Sequence, residues 1–316
     1  MVAKSDIKNV FEVFGDGIKY YFKHFPIFAK YMCFPVFGQF LGLIVIAFTT
    51  TIFLSIQPSL ITKYEIFQNT WILLATSIAV TLPGLAILLR AFWRYIAAYG
   101  TITSMASNLK SGKLYDIAAH DELINRAAMQ YIFLWLLFGL FTLVAIIPFF
   151  WVPAFILFVY FVLIFQIFTI DEINASAGNA INSFKQSFGM IKGHFLVTLM
   201  LLILVGGLTY VIVPHLITFI VLKSPIVQII LQGLKISPET LIYPHITVKT
   251  LVEGIIGLLI SSILVMFTLP MRTITWTLWY KKLAPKFHRE QRKISKKSNV
   301  VKLDKRILDR AMEDYE

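Results

Sequence analysis

The sequence predicts an all-α integral membrane protein with six transmembrane helices, cytoplasmic amphipathic helices, and both termini inside. Three observations lead there. Hydrophobic residues make up 58% of the 316 residues and charged residues only 15%, with a mean hydropathy of +0.75. That leaves too little polar surface for a water-soluble domain. Six continuously apolar runs reach the roughly 20 helical residues needed to cross a hydrocarbon core, and none alternates as a transmembrane strand does. Finally, the basic residues segregate. With six spans, 25 of the 29 Lys and Arg fall on one side, leaving Lys63, Lys223, Lys235 and Lys249 on the other. Cytoplasmic flanks carry the basic excess.

The N-terminal arm repeats Ile7, Phe11, Phe14, Ile18, Phe22 and Phe25 at steps of three and four, the stripe of an amphipathic helix, with Lys8, Lys19 and Lys23 off it. The first span follows at Phe34–Ile56. Acidic Asp6, Glu12 and Asp16 precede it, and no small-residue cleavage site follows, so a cleaved signal is not expected. The lone cysteine, Cys33, excludes an intrachain disulfide and a multi-cysteine metal site.

The second span is Thr70–Leu89. Arg90 and Arg94 follow, one helical turn apart, where cationic side chains snorkel to lipid phosphate. A second amphipathic pattern, Tyr95, Tyr99, Ile102, Ala106 and Leu109, ends at Lys110–Lys113. The triplet His120–Asp121–Glu122 reads as a solvated face. Spans three and four, Met129–Ile147 and Phe150–Ile170, flank a tight hairpin marked by Pro148 and Pro153, with Phe149, Phe150 and Trp151 at the interface.

The insert Asp171–Phe195 is polar but periodic. Ala177, Ile181, Phe184, Phe188, Ile191 and Phe195 form one stripe, with Asn174 or Ser176 as cap, so a third amphipathic helix is expected on the cytoplasmic surface. It ends "KGHF" before span five, Phe195–Val213, much as the first helix ends "KHF", which hints at a twofold repeat. Pro214 is expected to end or kink span five. Between Lys223 and Thr250 an interfacial helix near Ile226–Leu234 and then an extended stretch are expected. Span six is Leu251–Leu269, with Glu253 near its outer edge as the candidate intramembrane polar residue. From Arg272 onward the chain carries thirteen basic and six acidic residues. Such juxtamembrane clusters attract anionic headgroups by about 1 kcal/mol per basic residue. Arg272, Lys281 and Lys282 join Arg90 and Arg94 as candidate lipid-phosphate contacts. The expected division is a membrane domain over 1–285 and a basic tail over 286–316, in which Val301–Tyr315 patterns as a helix.

The stretches "NAINSFKQSFGMIKGHF" (Asn179–Phe195) and "YGTITSMASNLKSGKLYDIAAHDELINRA" (Tyr99–Ala127) resemble the six-span bacterial membrane proteins of the glycerophosphodiesterase membrane-domain and YciC-like group. The resemblance covers about residues 5–285. It implies a membrane domain of the bacterial cytoplasmic membrane without established chemistry. No fused phosphodiesterase domain is expected after the last span, and no catalytic residue carries over.

Chemistry-bearing motifs are missing. The six histidines show no zinc spacing. Lys110–Lys113 lacks the phosphate-loop spacing, and Gly15–Gly17 follows no strand. Neither a cofactor nor a nucleic-acid partner is expected. The leading reading is a non-enzymatic membrane domain that engages anionic lipid and organises the bilayer or a partner protein. The alternative is a permease or carrier for a small or lipid-like solute, with a midplane cavity lined by groups such as Glu253, Gln166 or Gln39. A lipid-modifying enzyme is the third reading; it needs titratable groups within hydrogen-bond reach in a cleft.

Overall fold

The computed structural model describes residues 4–108, 117–144, 147–172, 180–225, 241–243 and 246–289. These are almost entirely helical. The elements are α1 (Lys4–Lys23), α2 (Phe25–Lys63), α3 (Thr70–Ser107), α4 (Ile117–Arg126), α5 (Ala128–Val144), α6 (Trp151–Phe161), α7 (Ile164–Ile167), α8 (Ala180–Lys192), α9 (Phe195–Gly206), α10 (Val213–Leu222), α11 (Val248–Phe267) and α12 (269–289). A short antiparallel pairing of β1 (Leu241–Tyr243) with β2 (Ile246–Thr247) supplies the extended stretch expected before span six. The expected helices at Ile226–Leu234 and Val301–Tyr315, and the tail beyond residue 289, lie outside the described residues.

Five helical segments are long and apolar enough to cross a membrane: Phe25–Lys63, Thr70–Ser107, Pro148–Asp171, Phe195–Leu222 and Glu253–Arg289. A sixth is added if α4 and α5, bent by 75° at Ala127, count as one. This fits a multi-pass membrane protein. The spans differ from the apolar runs mainly in length. The first, second and last hold 39, 38 and 37 residues, ~55–60 Å at 1.5 Å per residue, nearly twice a hydrocarbon core. Apolar runs mark where lipid solvates a helix; the polar residues beyond them are equally helical.

Pro214 neither ends nor breaks its span. A π-helical turn, Gly207–Ile212, precedes it, and the helix continues to Leu222. A proline cannot donate to the carbonyl four residues back and crowds it; the wider turn makes room. At the expected tight hairpin, Pro148–Phe150 forms a 3₁₀ turn.

Burial is concentrated at one end of the bundle. Residues 268–277 of the last segment are all buried, as are Trp279, Tyr280, Leu283 and Ala284. This stretch lies beyond the expected end of span six, yet it is the centre of the fold. Pro270 sits in the first turn of α12, where its missing N–H costs nothing. Thr273, Thr275 and Thr277 are fully enclosed, and each hydroxyl donates to the carbonyl four residues earlier, at 2.8–2.9 Å. Their polar atoms are thereby satisfied without help from neighbouring helices.

The end of α3 is equally enclosed. Ala97, Ala98 and all of Gly100–Ala106 are buried, so the expected separate amphipathic helix there is instead the last three turns of a continuous helix. Small residues let neighbours approach from every side: a Cβ on Gly100 would lie 2.7 Å from the Ile124 side chain and 3.0 Å from Tyr131.

α1 and α8 form as expected, but they dock through faces offset from their apolar stripes. α1 buries Val10, Val13, Gly17 and Tyr21, whereas Phe11 and Phe22 are 52% and 64% exposed. α8 buries Ala180, Ser183, Ser187, Met190 and Ile191 and leaves Ile181 exposed. Both junctions into the following span have similar backbones, His24 at φ −115°, ψ 18° and His194 at φ −131°, ψ 20°.

The longest contact, α2 with α3, is set by glycines. A Cβ on Gly42 would sit 2.7 Å from the Leu88 amide nitrogen and 2.9 Å from the Gly84 carbonyl oxygen; on Gly38 it would meet Ala91 at 2.8 Å. The Gly38–Gly42 pair has the small-xxx-small spacing that lets membrane helices approach closely. Gly42→Leu should therefore lower stability by about 1–3 kcal/mol. Gly139→Ala, where a Cβ meets nothing within 4 Å, should be neutral or stabilising by up to ~1 kcal/mol. Thermal unfolding in detergent compares the two; equal effects would refute the close-packing account.

Candidate functional site

The residues expected at lipid phosphate occupy several different environments. Arg90 is exposed. Arg94, one turn on, is turned inward and forms an ion pair with Asp121 of α4. Lys281 is exposed and donates to the Ser107 carbonyl at 2.7 Å, where it meets the negative end of α3. Lys282 pairs with Glu12 of α1 at 2.8 Å, and its ammonium holds the Glu12 carboxyl below its ordinary range. That contact is present at neutral pH and is lost only as pH falls through the lowered value. Arg272 is buried, at 7% exposure.

Glu253 is half-buried near the start of α11. Of the glutamines expected to line a carrier cavity, Gln39 donates to the Pro35 carbonyl of its own helix at 2.8 Å. Gln166 is fully enclosed and donates to the Tyr99 hydroxyl at 2.9 Å.

The triplet His120–Asp121–Glu122 is only partly a solvated face. Glu122 makes an exposed ion pair with Arg126. Asp121, in contrast, joins three helices: besides Arg94 it accepts from the Tyr31 hydroxyl at 3.0 Å and from Asn125 at 3.3 Å. His120 meets Ser104 at 2.9 Å. Consecutive helical residues point in different directions, and here the middle one points at the bundle.

A polar concavity lies between α8 and the end of α12. This cleft of about 560 Å³ is lined by Asn182, Lys185, Gln186, Phe188, Gly189, Lys192, Phe287 and His288. Its shape follows from small residues. Gly189 admits Phe287, whose ring would lie 3.0 Å from a Cβ there. The Ser187 hydroxyl ties α8 to the Tyr160 carbonyl at 2.7 Å, and Phe188 stacks on the Tyr160 ring at 4.6 Å. Asp171 anchors the opposite wall, accepting from the Tyr280 hydroxyl at 2.6 Å with His288 Nε2 at 3.6 Å. Two ammonium groups, two amides, an imidazole and two phenyl rings give the cleft the chemistry of an amphipathic anion site. Lys185 and Lys192 belonged to the polar side of the expected amphipathic helix; that α12 supplies the other wall had no signal in the sequence.

A second concavity, about 260 Å³ between α5 and α6, is almost wholly aromatic, with Phe138, Phe141, Trp151, Phe155, Phe158 and Phe161 among its walls. Among the described residues no group of three His, Cys, Asp or Glu side chains has the proximity to hold a metal ion. No protein-family model, curated protein or solved structure matches this chain.

The Asp121 junction gives a stability test. Asp121→Asn should cost about 2–3 kcal/mol, because Arg94 loses its counter-charge in a partly buried site. The double variant with Arg94→Gln should be less destabilised than the sum of the singles, by roughly 1 kcal/mol or more. Strict additivity in thermal unfolding would show that the pair is not coupled.

Proposed function

We propose that this chain is a non-enzymatic multi-pass domain of the cell membrane whose basic end faces the cytoplasm and engages anionic phospholipid. The observation that carries the reading is the cleft between α8 and α12. It sets Lys185 and Lys192 beside the exposed edges of Phe188 and Phe287, which suits a phosphate headgroup continuous with an acyl chain. The exposed Phe11 and Phe22 of α1, and Ile181 of α8, add apolar surface near the same end, as interfacial helices require. The sidedness of Lys and Arg supports the orientation. The resemblance to the six-span bacterial group is part of the same proposal.

Two measurements test it. The double variant K185Q/K192Q should bind short-chain phosphatidylglycerol about thirtyfold more weakly than the unaltered chain, at about 1 kcal/mol per lysine, with phosphatidylcholine binding unchanged. Equal phosphatidylglycerol affinity would remove the cleft from the proposal. In intact cells, an impermeant thiol reagent should fail to label a cysteine placed at Lys286 until the membrane is opened. Labelling from outside would reverse the orientation.

A further inference from the structure

Arg272 is 7% exposed, at the centre of a bundle built from apolar helices. Among the described residues it has no carboxylate within salt-bridge reach. The carboxylates that form ion pairs, Asp121, Glu122, Glu12 and Asp171, pair with Arg94, Arg126, Lys282 and His288. One guanidinium nitrogen donates to the Val265 carbonyl at 3.0 Å, an oxygen that also accepts from the Thr268 hydroxyl at 2.9 Å. The guanidinium lies over the Tyr210 ring, 4.4 Å from its centre. Its Nη1 has no hydrogen-bond partner. An Arg carries five N–H donors and no acceptor, so the Val265 bond satisfies only part of it. A buried ionisable group in a membrane bundle marks a functional site by default.

The surroundings of the guanidinium favour an anion. The Tyr95 side chain interacts with Arg272, and Tyr99 and Tyr210 lie within its electrostatic reach. The Tyr99 hydroxyl already accepts from Gln166, so its own proton is free to be donated. Among the described residues the neighbourhood is therefore rich in donors and positive, with no fixed negative charge. The Tyr210 ring covers it and is itself 53% exposed. It rides on the π-helical turn Gly207–Ile212, a distortion that recurs at functional sites. Exposed Val211 and Ile212 continue the surface beside it, so the approach is from the apolar side.

We propose that Arg272, with Tyr95 and Tyr99, binds a phosphate oxyanion inside the bundle beneath Tyr210, carried there as the headgroup of an anionic phospholipid. This site is separate from the α8–α12 cleft and does not depend on it. Free inorganic phosphate offers the same oxyanion chemistry, so the test includes both sources.

Bound lipid is counted by native mass spectrometry after titration with dioctanoyl phosphatidylglycerol. Unfolding temperature is followed with that lipid and, separately, with inorganic phosphate. The proposal expects one phosphatidylglycerol per chain that K185Q/K192Q retains and Arg272→Gln binds roughly tenfold or more weakly, with Arg272→Lys between. Tyr210→Ala keeps the charge and removes the cover, so bound lipid should exchange several-fold faster. Stabilisation by inorganic phosphate that Arg272→Gln abolishes, without lipid binding, would keep the oxyanion site and overturn the headgroup as its source. Unchanged lipid and phosphate binding in folded Arg272→Gln would overturn the proposal. If that variant does not fold, undiminished affinity in the double variant Tyr95→Phe/Tyr99→Phe does the same. Loss of lipid in K185Q/K192Q alone would overturn this site and leave the cleft standing; loss in Arg272→Gln alone would do the reverse.

Discussion

The enclosure of α12 is the constraint on which the rest of the structure depends. Lipid offers no driving force for apolar helices to associate and no partner for a stray polar group, so a buried helix must satisfy its own polar atoms and let its neighbours come close. The threonines of α12 do the first by bonding their own backbone. The second is seen at Gly17, where an added Cβ would come within 3.0 Å of Thr275 Cβ. Specific side-chain bonds then fix the register. Trp279 donates to Thr198 of α9, Tyr280 to Asp171, and Lys281 to the end of α3. One helix thereby ties α1, α3, α9 and the chain after α7 to a common axis.

The same arrangement explains why polarity gathers at one end. The ends of α1, α3, α8 and α12 meet there, and so do the pairs Glu12–Lys282 and His288–Asp171. Farther along, α2 and α3 touch chiefly each other and turn long apolar faces outward, including Leu43, Ile44, Phe48, Leu82 and Leu89. Such faces are costly in water and neutral in lipid.

Asp121 and Arg272 show two ways of placing charge in such a bundle. Asp121 is surrounded by donors from α2, α3 and its own helix, so its charge is compensated within the chain. Arg272 has an aromatic face, one carbonyl and the Tyr95 side chain, a weaker set for a full charge. The difference lies in surroundings rather than in residue type, and neither position could be ranked by its immediate sequence neighbours.

The sequence by itself determined the class: helices, membrane-length apolar runs, a tight turn at Pro148, and periodic stripes at α1 and α8. These are local or compositional properties, and hydropathy and period read them directly. The close α2–α3 contact rests on Gly38 and Gly42, which an apolar run does not single out; only the structure shows which face of the helix they occupy. Tertiary structure alone decided that residues 269–289 form the core, that Arg94 turns inward while Arg90 stays out, and that α8 and α12 enclose a cleft. Each depends on residues far apart in the chain, such as Lys282 with Glu12 or Phe287 with Gly189. The threonine-rich segment after residue 269 lies beyond the expected end of span six because hydropathy counts side chains singly; only packing shows that their polar atoms are already satisfied and can be buried.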